Sequence, residues 1–156
     1  MALSRRGFLT GQRHTSRPNG FTLPWWRHQP GCDGCARCVD ACDTQIIVLL
    51  SGSEPQIDFS QGECTFCGAC ADACPQPLFT LRDAQPWPLR IKIDERCIAF
   101  QGVNCRSCQE SCEQQAITFH FNRLGVAQPE VHPENCTGCG ACIALCPVSA
   151  TGLAHA

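Results

Sequence analysis

Cys136-Thr-Gly-Cys139-Gly-Ala-Cys142-Ile-Ala-Leu-Cys146-Pro147 is the stretch whose reading decides the fold. Its spacing, C-x2-C-x2-C-x3-C-P, suits a cube-shaped [4Fe–4S] cluster. Three thiolates at steps of three residues, on a loop curling around a compact object, reach three corners of one cube. The fourth Cys reads as the start of a helix pointing away, and the Pro after it fixes φ. Gly138, Gly140 and Ala141 are small enough to let backbone N–H groups approach the sulfurs. Such hydrogen bonds help set a reduction potential.

The pattern occurs four times. Cys64, Cys67, Cys70, Cys74 and Pro75 repeat it in full, while Cys32, Cys35, Cys38 and Cys42 are followed by Asp43 in place of Pro. Cys97, Cys105, Cys108 and Cys112 form a variant whose first gap is seven residues. Four sets of four account for all 16 cysteines. The second and fourth motifs share C-T-x-C-G-A-C and end in C-P; the first and third share acid-x-Cys-acid around Cys42 and Cys112. An A-B-A-B order is what duplication of a two-motif unit leaves behind. It divides the chain into a basic tail over 1–31, unit A over 32–82 and unit B over 83–156.

Two other uses of cysteine fit less well. Nothing marks the chain as secreted, and x2-x2 triplets do not suit pairwise disulfides. Zinc prefers two separated C-x2-C pairs around a tetrahedron. The widened loop from Ile98 to Asn104 leaves two possibilities for the third motif. It bulges outward with its ligands intact, or it marks an altered site. The expected cofactors are therefore three or four [4Fe–4S] clusters.

Composition agrees with that reading. Eight Phe, three Trp and no Tyr in 156 residues make a thin organic core, which clusters can supplement. The iron-free chain is accordingly expected to be largely unfolded. The net charge of −2 hides an asymmetry. Arg5, Arg6, Arg13, Arg17 and Arg27 give residues 1–31 a charge of +5, leaving seven basic against fourteen acidic residues, or −7, in the rest. Each oxidised cluster adds about −2 to that acidic body. Basic residues this few and this confined argue against a nucleic-acid partner. No run of about 18 apolar residues exists to span a membrane. No nucleophile–base pair or phosphate loop points to an enzyme.

Each cysteine loop is read as leading into a short helix and a strand, over 46–50, 78–81 and 116–121. Return strands come next, over 56–59, 89–93 and 126–131, the last interrupted by Pro129. Phe21 to Trp26 is an apolar patch suited to packing over the first cysteine loop or anchoring a partner. The five His (14, 28, 120, 132 and 155) show no ligand spacing. Ser4-Arg5-Arg6-Gly7-Phe8-Leu9-Thr10 looks like the heading of a twin-arginine export signal. The residues after Thr10 contain no apolar h-region and no small-residue cleavage site, so cytoplasmic retention is the expectation.

Over residues 32–148 the motifs resemble bacterial two-[4Fe–4S] ferredoxins. More specifically, the chain is similar to the ferredoxin-type accessory proteins encoded with the periplasmic nitrate reductase. The likeness rests on Ser4-Arg5-Arg6-Gly7, Thr10-Gly11, Pro24-Trp25, Cys64-Thr-Phe-Cys67, Asp72-Ala-Cys74-Pro75 and Leu78-Phe79. To these the third motif adds Gln101-Gly-Val-Asn-Cys105 and Cys108-Gln-Glu-Ser-Cys112-Glu, and the end of the chain adds Cys146-Pro-Val-Ser-Ala150. The broader resemblance implies an α+β, duplicated ferredoxin-like fold, with short helices and β-hairpins around cluster-binding loops. It also implies crossed ligation, the fourth Cys of each motif serving its neighbour's cluster. The sets are then Cys32, Cys35, Cys38 with Cys74; Cys64, Cys67, Cys70 with Cys42; Cys136, Cys139, Cys142 with Cys112; and Cys97, Cys105, Cys108 with Cys146. With the third motif empty, Cys146 returns to its own motif's cluster. The narrower resemblance implies a cytoplasmic, non-enzymatic protein that meets the catalytic subunit of periplasmic nitrate reductase before export. There it helps that subunit mature its iron–sulfur cluster or redox state. A polyferredoxin electron carrier serving a reductase is the alternative.

Overall fold

Closely spaced glycines and prolines leave room only for short elements, and short elements are what form. The computed structural model describes residues 21–27, 29–49 and 54–156, so the Ser4-Arg5-Arg6 head lies outside it. Four single-turn helices occur among the described residues: α1 (Arg37–Asp40), α2 (Ala69–Asp72), α3 (Ser107–Glu110) and α4 (Ala141–Ala144). Each carries the third Cys of its motif and stops two residues short of the fourth. This corrects the expectation of a helix after the motif. A turn that starts one residue before the third Cys has completed itself before the fourth is reached. In three loops the residue ahead of the helix is left-handed: Ala36 (φ 62°), Gly68 (78°) and Gly140 (85°). In the third loop it is Arg106 at φ −132°.

Among the described residues six strands make three antiparallel pairs. β1 (Ile47–Leu49) pairs with β2 (Pro55–Ile57), and β4 (Ile117–Phe121) with β5 (Ala127–Val131). Pro129 does not interrupt β5; it sits opposite Phe119. A two-stranded sheet has open edges, where a missing N–H costs little. The third pair differs from expectation. β3 (Leu89–Ile93) does not return onto residues 78–81 but pairs over its whole length with β6 (Thr151–His155) at the end of the chain. Residues 78–80 are held by the N-terminal segment instead. Arg27 N–H donates to Leu78 O (2.8 Å), Thr80 N–H to Trp25 O (2.8 Å), and Trp26 bridges Phe79. Pro77, Pro86 and Pro88, lacking N–H donors, further discourage a local hairpin.

The core is a band of aromatics and aliphatics with cysteines among them. Leu23, Trp26, Ile46, Ile57, Phe59, Leu78, Trp87 and Leu89 pack together with Cys70, while Ile91 and Ile117 pack with Cys108 and Cys142. The expected packing of the Phe21 to Trp26 patch is observed. Leu23, Trp25 and Trp26 are buried, and Trp25 Nε1–H donates to Ala84 O at 2.8 Å. Fully burying a side chain such as Phe59 contributes about 1.5–3 kcal/mol. Four cysteines, Cys70, Cys97, Cys108 and Cys142, are buried beside them.

Candidate metal centres

The sixteen cysteines gather into four groups, each drawing three from one motif and one from its neighbour. Cys32, Cys35, Cys38 and Cys74 line one hollow, walled by Trp26, Leu78 and Phe79. Cys64, Cys67, Cys70 and Cys42 line a second, against Ile46, Ile47 and Ile57. Cys136, Cys139, Cys142 and Cys112 line a third, against Ile91, Ile117 and Leu153. The remaining four are Cys97, Cys105, Cys108 and Cys146, of which Cys97 and Cys146 pack in one cluster. These are the crossed sets, the irregular third motif included.

Backbone geometry turns donors toward these sulfurs. Ile91 N–H donates to Cys136 Sγ (3.3 Å), Ala116 N–H to Cys112 Sγ (3.3 Å) and Ala150 N–H to Cys146 Sγ (3.1 Å). Gln45, Gln115 and Ser149, each three residues past a fourth Cys, take left-handed φ of 50–54° and fold the chain back. After Cys74 the same position is Pro77, which cannot, and that turn is built differently.

Burial sets the electrostatics. It pushes the Cys64 thiol up to about 12, against an opposing hydrogen bond from Phe66 N–H. It pushes Cys142 up to about 12, with the neighbouring thiols of Cys139, Cys136 and Cys108 adding to the rise. Cys70 and Cys108 are each pushed up to about 11, again chiefly by burial. Cys146 goes the other way: burial raises it, but hydrogen bonds from Ala150, Val148 and Thr151 together outweigh that and lower it. Thiols in such hollows give up their protons only to a cation that takes their place.

The donor set fits an iron–sulfur cluster. Each hollow presents four sulfur donors from apolar walls, the ligand count of an all-cysteine [4Fe–4S] centre. In the wall of the first hollow Trp26 Nε1–H is buried with no hydrogen-bond partner. A buried donor without an acceptor costs about 1–3 kcal/mol, and a sulfide of a cluster would relieve it. Among the described residues no three His, Cys, Asp or Glu side chains close tightly enough to hold a single metal ion.

The third motif shows how its seven-residue gap is accommodated. Cys97 to Gly102 wind into a helical turn, with Phe100 N–H bonded to Cys97 O (3.0 Å) and Gln101 N–H to Ile98 O (3.1 Å). Gly102 caps it at φ 88°, and Val103 N–H returns to Ile98 O at 3.0 Å. Ala99 is fully buried, while Phe100 and Val103 project outward. The extra residues form the outward bulge and Cys97 still faces Cys108. Sequence reasoning did not single out Trp26 Nε1, Trp87, or the contact of Phe59 with Gly140. All three depend on long-range packing that no local signal announces.

Comparison with known proteins agrees with this geometry. The family description "4Fe-4S dicluster domain" matches twice, over residues 31–77 and 96–150. "Ferredoxin-type protein NapF" of Escherichia coli (strain K12) is 44% identical over 151 residues, covering 94% of this chain and 92% of the relative. The protein of that name in Haemophilus influenzae is 45% identical, covering 95% and 92%. "Ferredoxin-type protein NapG" of Escherichia coli is 29% identical over 86% of this chain and 70% of its own length. Among the described residues no helix is long and apolar enough to cross a membrane. The chain belongs to the NapF family of ferredoxin-type proteins, built on the 4Fe-4S dicluster domain.

Proposed function

We propose that this protein is a cytoplasmic iron–sulfur accessory protein carrying four [4Fe–4S] clusters. It acts on the catalytic subunit of periplasmic nitrate reductase before that subunit is exported, in the maturation of its iron–sulfur cluster or redox state. The observation that carries the reading is the gathering of sixteen cysteines into four crossed groups of four. When bound, the clusters supply one-electron chemistry at low potential; the chain holds them through these thiols and shields them with its aromatic band.

The body is a duplicated ferredoxin-like fold, units 32–82 and 83–156. Pairing supports this: Trp26, ahead of the first motif, bridges Phe79, after the second, as β3 ahead of the third motif pairs with β6 after the fourth. Within the head over 1–31, the basic residues ahead of Phe21 serve as a docking arm for a partner, while Leu23, Trp25 and Trp26 pack into the acidic body that holds the clusters.

The test is capture of the purified catalytic subunit by anaerobically prepared protein. Full-length protein is expected to bind it, and added salt to weaken the complex, since exposed charge pairs are screened beyond about 8–10 Å. Deleting residues 2–12 is expected to leave iron content and the visible spectrum intact while weakening capture. Equal capture by the truncated chain would move docking to the ferredoxin body, and no capture by either would remove the partner. Transfer of iron to the cluster-free subunit separates maturation from plain electron carriage, which leaves iron where it was.

A further inference from the structure

Within each unit the two thiol groups adjoin: Cys70 of the second belongs to one packed cluster with Cys38 of the first, and Cys142 of the third to another with Cys108 of the fourth. The open question is the passage between units, and one main-chain contact spans it. Cys64 N–H, in the second group, donates to the carbonyl of Cys139, in the third, at 2.8 Å. Phe59 seals this seam: it is fully buried, and its ring lies so close to Gly140 that a Cβ there would overlap it. Trp87 stands edge-on to both Phe59 (6.0 Å) and Phe66 (5.6 Å), and its Nε1–H donates to Thr137 O at 3.1 Å.

We infer that this seam joins the four thiol groups into one linear relay, with the Cys64–Cys139 hydrogen bond bridging the inner two. The inference rests on the reading that each group holds a cluster. From sulfur to sulfur the path runs Sγ–Cβ–Cα–N of Cys64, the hydrogen bond, then O–C–Cα–Cβ–Sγ of Cys139. Covalent bonds and this one hydrogen bond make up the path, and the buried Phe59 packs beside it against Gly140. Clusters held by the Cys64 and Cys139 groups would exchange one electron along this path, one being oxidised as the other is reduced, with no proton moved. An external low-potential one-electron reductant refills the chain of sites. The ends of the relay differ. The first group opens to solvent at Cys35, which is exposed, and the fourth sits under a bulge that presents Phe100 and Val103.

Two variants test this. Cys35→Ser, Cys38→Ser, Cys105→Ser, Cys108→Ser keeps the inner groups and should retain about eight iron. On reduction with dithionite its electron paramagnetic resonance should be split and fast-relaxing, the sign of two spins in contact across the seam. Cys67→Ser, Cys70→Ser, Cys139→Ser, Cys142→Ser keeps the outer groups, whose spins should be uncoupled. Uncoupled spins in the first variant at about eight iron would overturn the relay and leave the cluster assignment standing. A wild type holding far fewer than about sixteen iron would overturn the assignment itself. Should either variant fail to load, hydrogen exchange on loaded wild type decides. The peptide containing Cys64 should exchange at least about 100-fold more slowly than that containing Gly102 and Val103; equal rates would show the seam open.

Discussion

The third and fourth cysteine loops lie in the same half of the molecule and solve one problem by different backbones. The fourth, Cys136 to Cys146, uses left-handed Gly138 and Gly140 to bring three sulfurs inward within seven residues. The third takes a hydrogen-bonded turn from Cys97 to Gly102, has Arg106 at a negative φ of −132° where the other has left-handed Gly140, and still brings Cys97 against Cys146. What both loops share is the place where the sulfurs end, not the path that takes them there. The fourth loop is also pinned between Trp87, Leu89 and Phe59, whereas nothing lies within 4 Å of a Cβ placed on Gly102. One loop is built into the interior; the other is free on its outer side.

The largest effect that would test this comparison is removal of all iron. Both loops should collapse together, with loss of the far-UV signal and rapid proteolysis, because ligation stands in for much of the core. A protease-resistant third loop in iron-free protein would mean that its helical turn stands without ligands. Next in size is the equivalence of the two sites. Cys105→Ser with Cys108→Ser should cost about four iron of about sixteen, the same as Cys139→Ser with Cys142→Ser. An unchanged iron count in the first variant would make the third loop a decoy.

Smaller effects separate the backbones. Gly140→Ala combines left-handed strain of about 1–2 kcal/mol with overpacking against the Phe59 ring of about 1–3 kcal/mol. Thermal unfolding of the loaded protein should therefore fall clearly. Gly102→Ala meets strain alone and should cost about 1–2 kcal/mol by the same measurement. Arg106→Ala is the mildest. It removes a guanidinium 5.8 Å from the Phe119 ring and 5.5 Å from that of Phe121, worth about 0.5–1 kcal/mol at an exposed site. If Gly140→Ala and Gly102→Ala cost the same, the contrast between pinned and free loops fails.

Much of this was legible before any coordinates, because cysteine spacing is a local statement about where sulfurs can reach. The crossed partition came from likeness to two-cluster ferredoxins, since spacing alone does not say which motif a fourth Cys serves. The hairpins β1–β2 and β4–β5 follow from apolar runs on either side of turn residues. The β3–β6 pair does not. Its second strand, Thr-Gly-Leu-Ala-His, has weak strand character and lies more than fifty residues from its partner. The seam is equally hidden. Gly140 reads as one more small residue of a cluster loop, and only the arrival of Phe59 from the other half shows why no side chain fits there. Left-handed Phe66 is a similar case, a bulky residue in a conformation that disfavours it, with its ring between Trp25 and Trp87.

All three tryptophans, Trp25, Trp26 and Trp87, are buried against cysteine loops. Iron–sulfur clusters absorb broadly through the near ultraviolet and visible, where indole emits, so each ring sits beside an efficient acceptor of its excitation energy. The protein thus carries its own optical gauge of loading. Its intrinsic fluorescence should be dim when charged with iron and brighten, with a red shift, as clusters are lost and the rings reach water. Since Trp26 is the tryptophan that lines the first hollow, Trp26→Phe should delete from that signal the share reporting the Cys32, Cys35, Cys38 and Cys74 site.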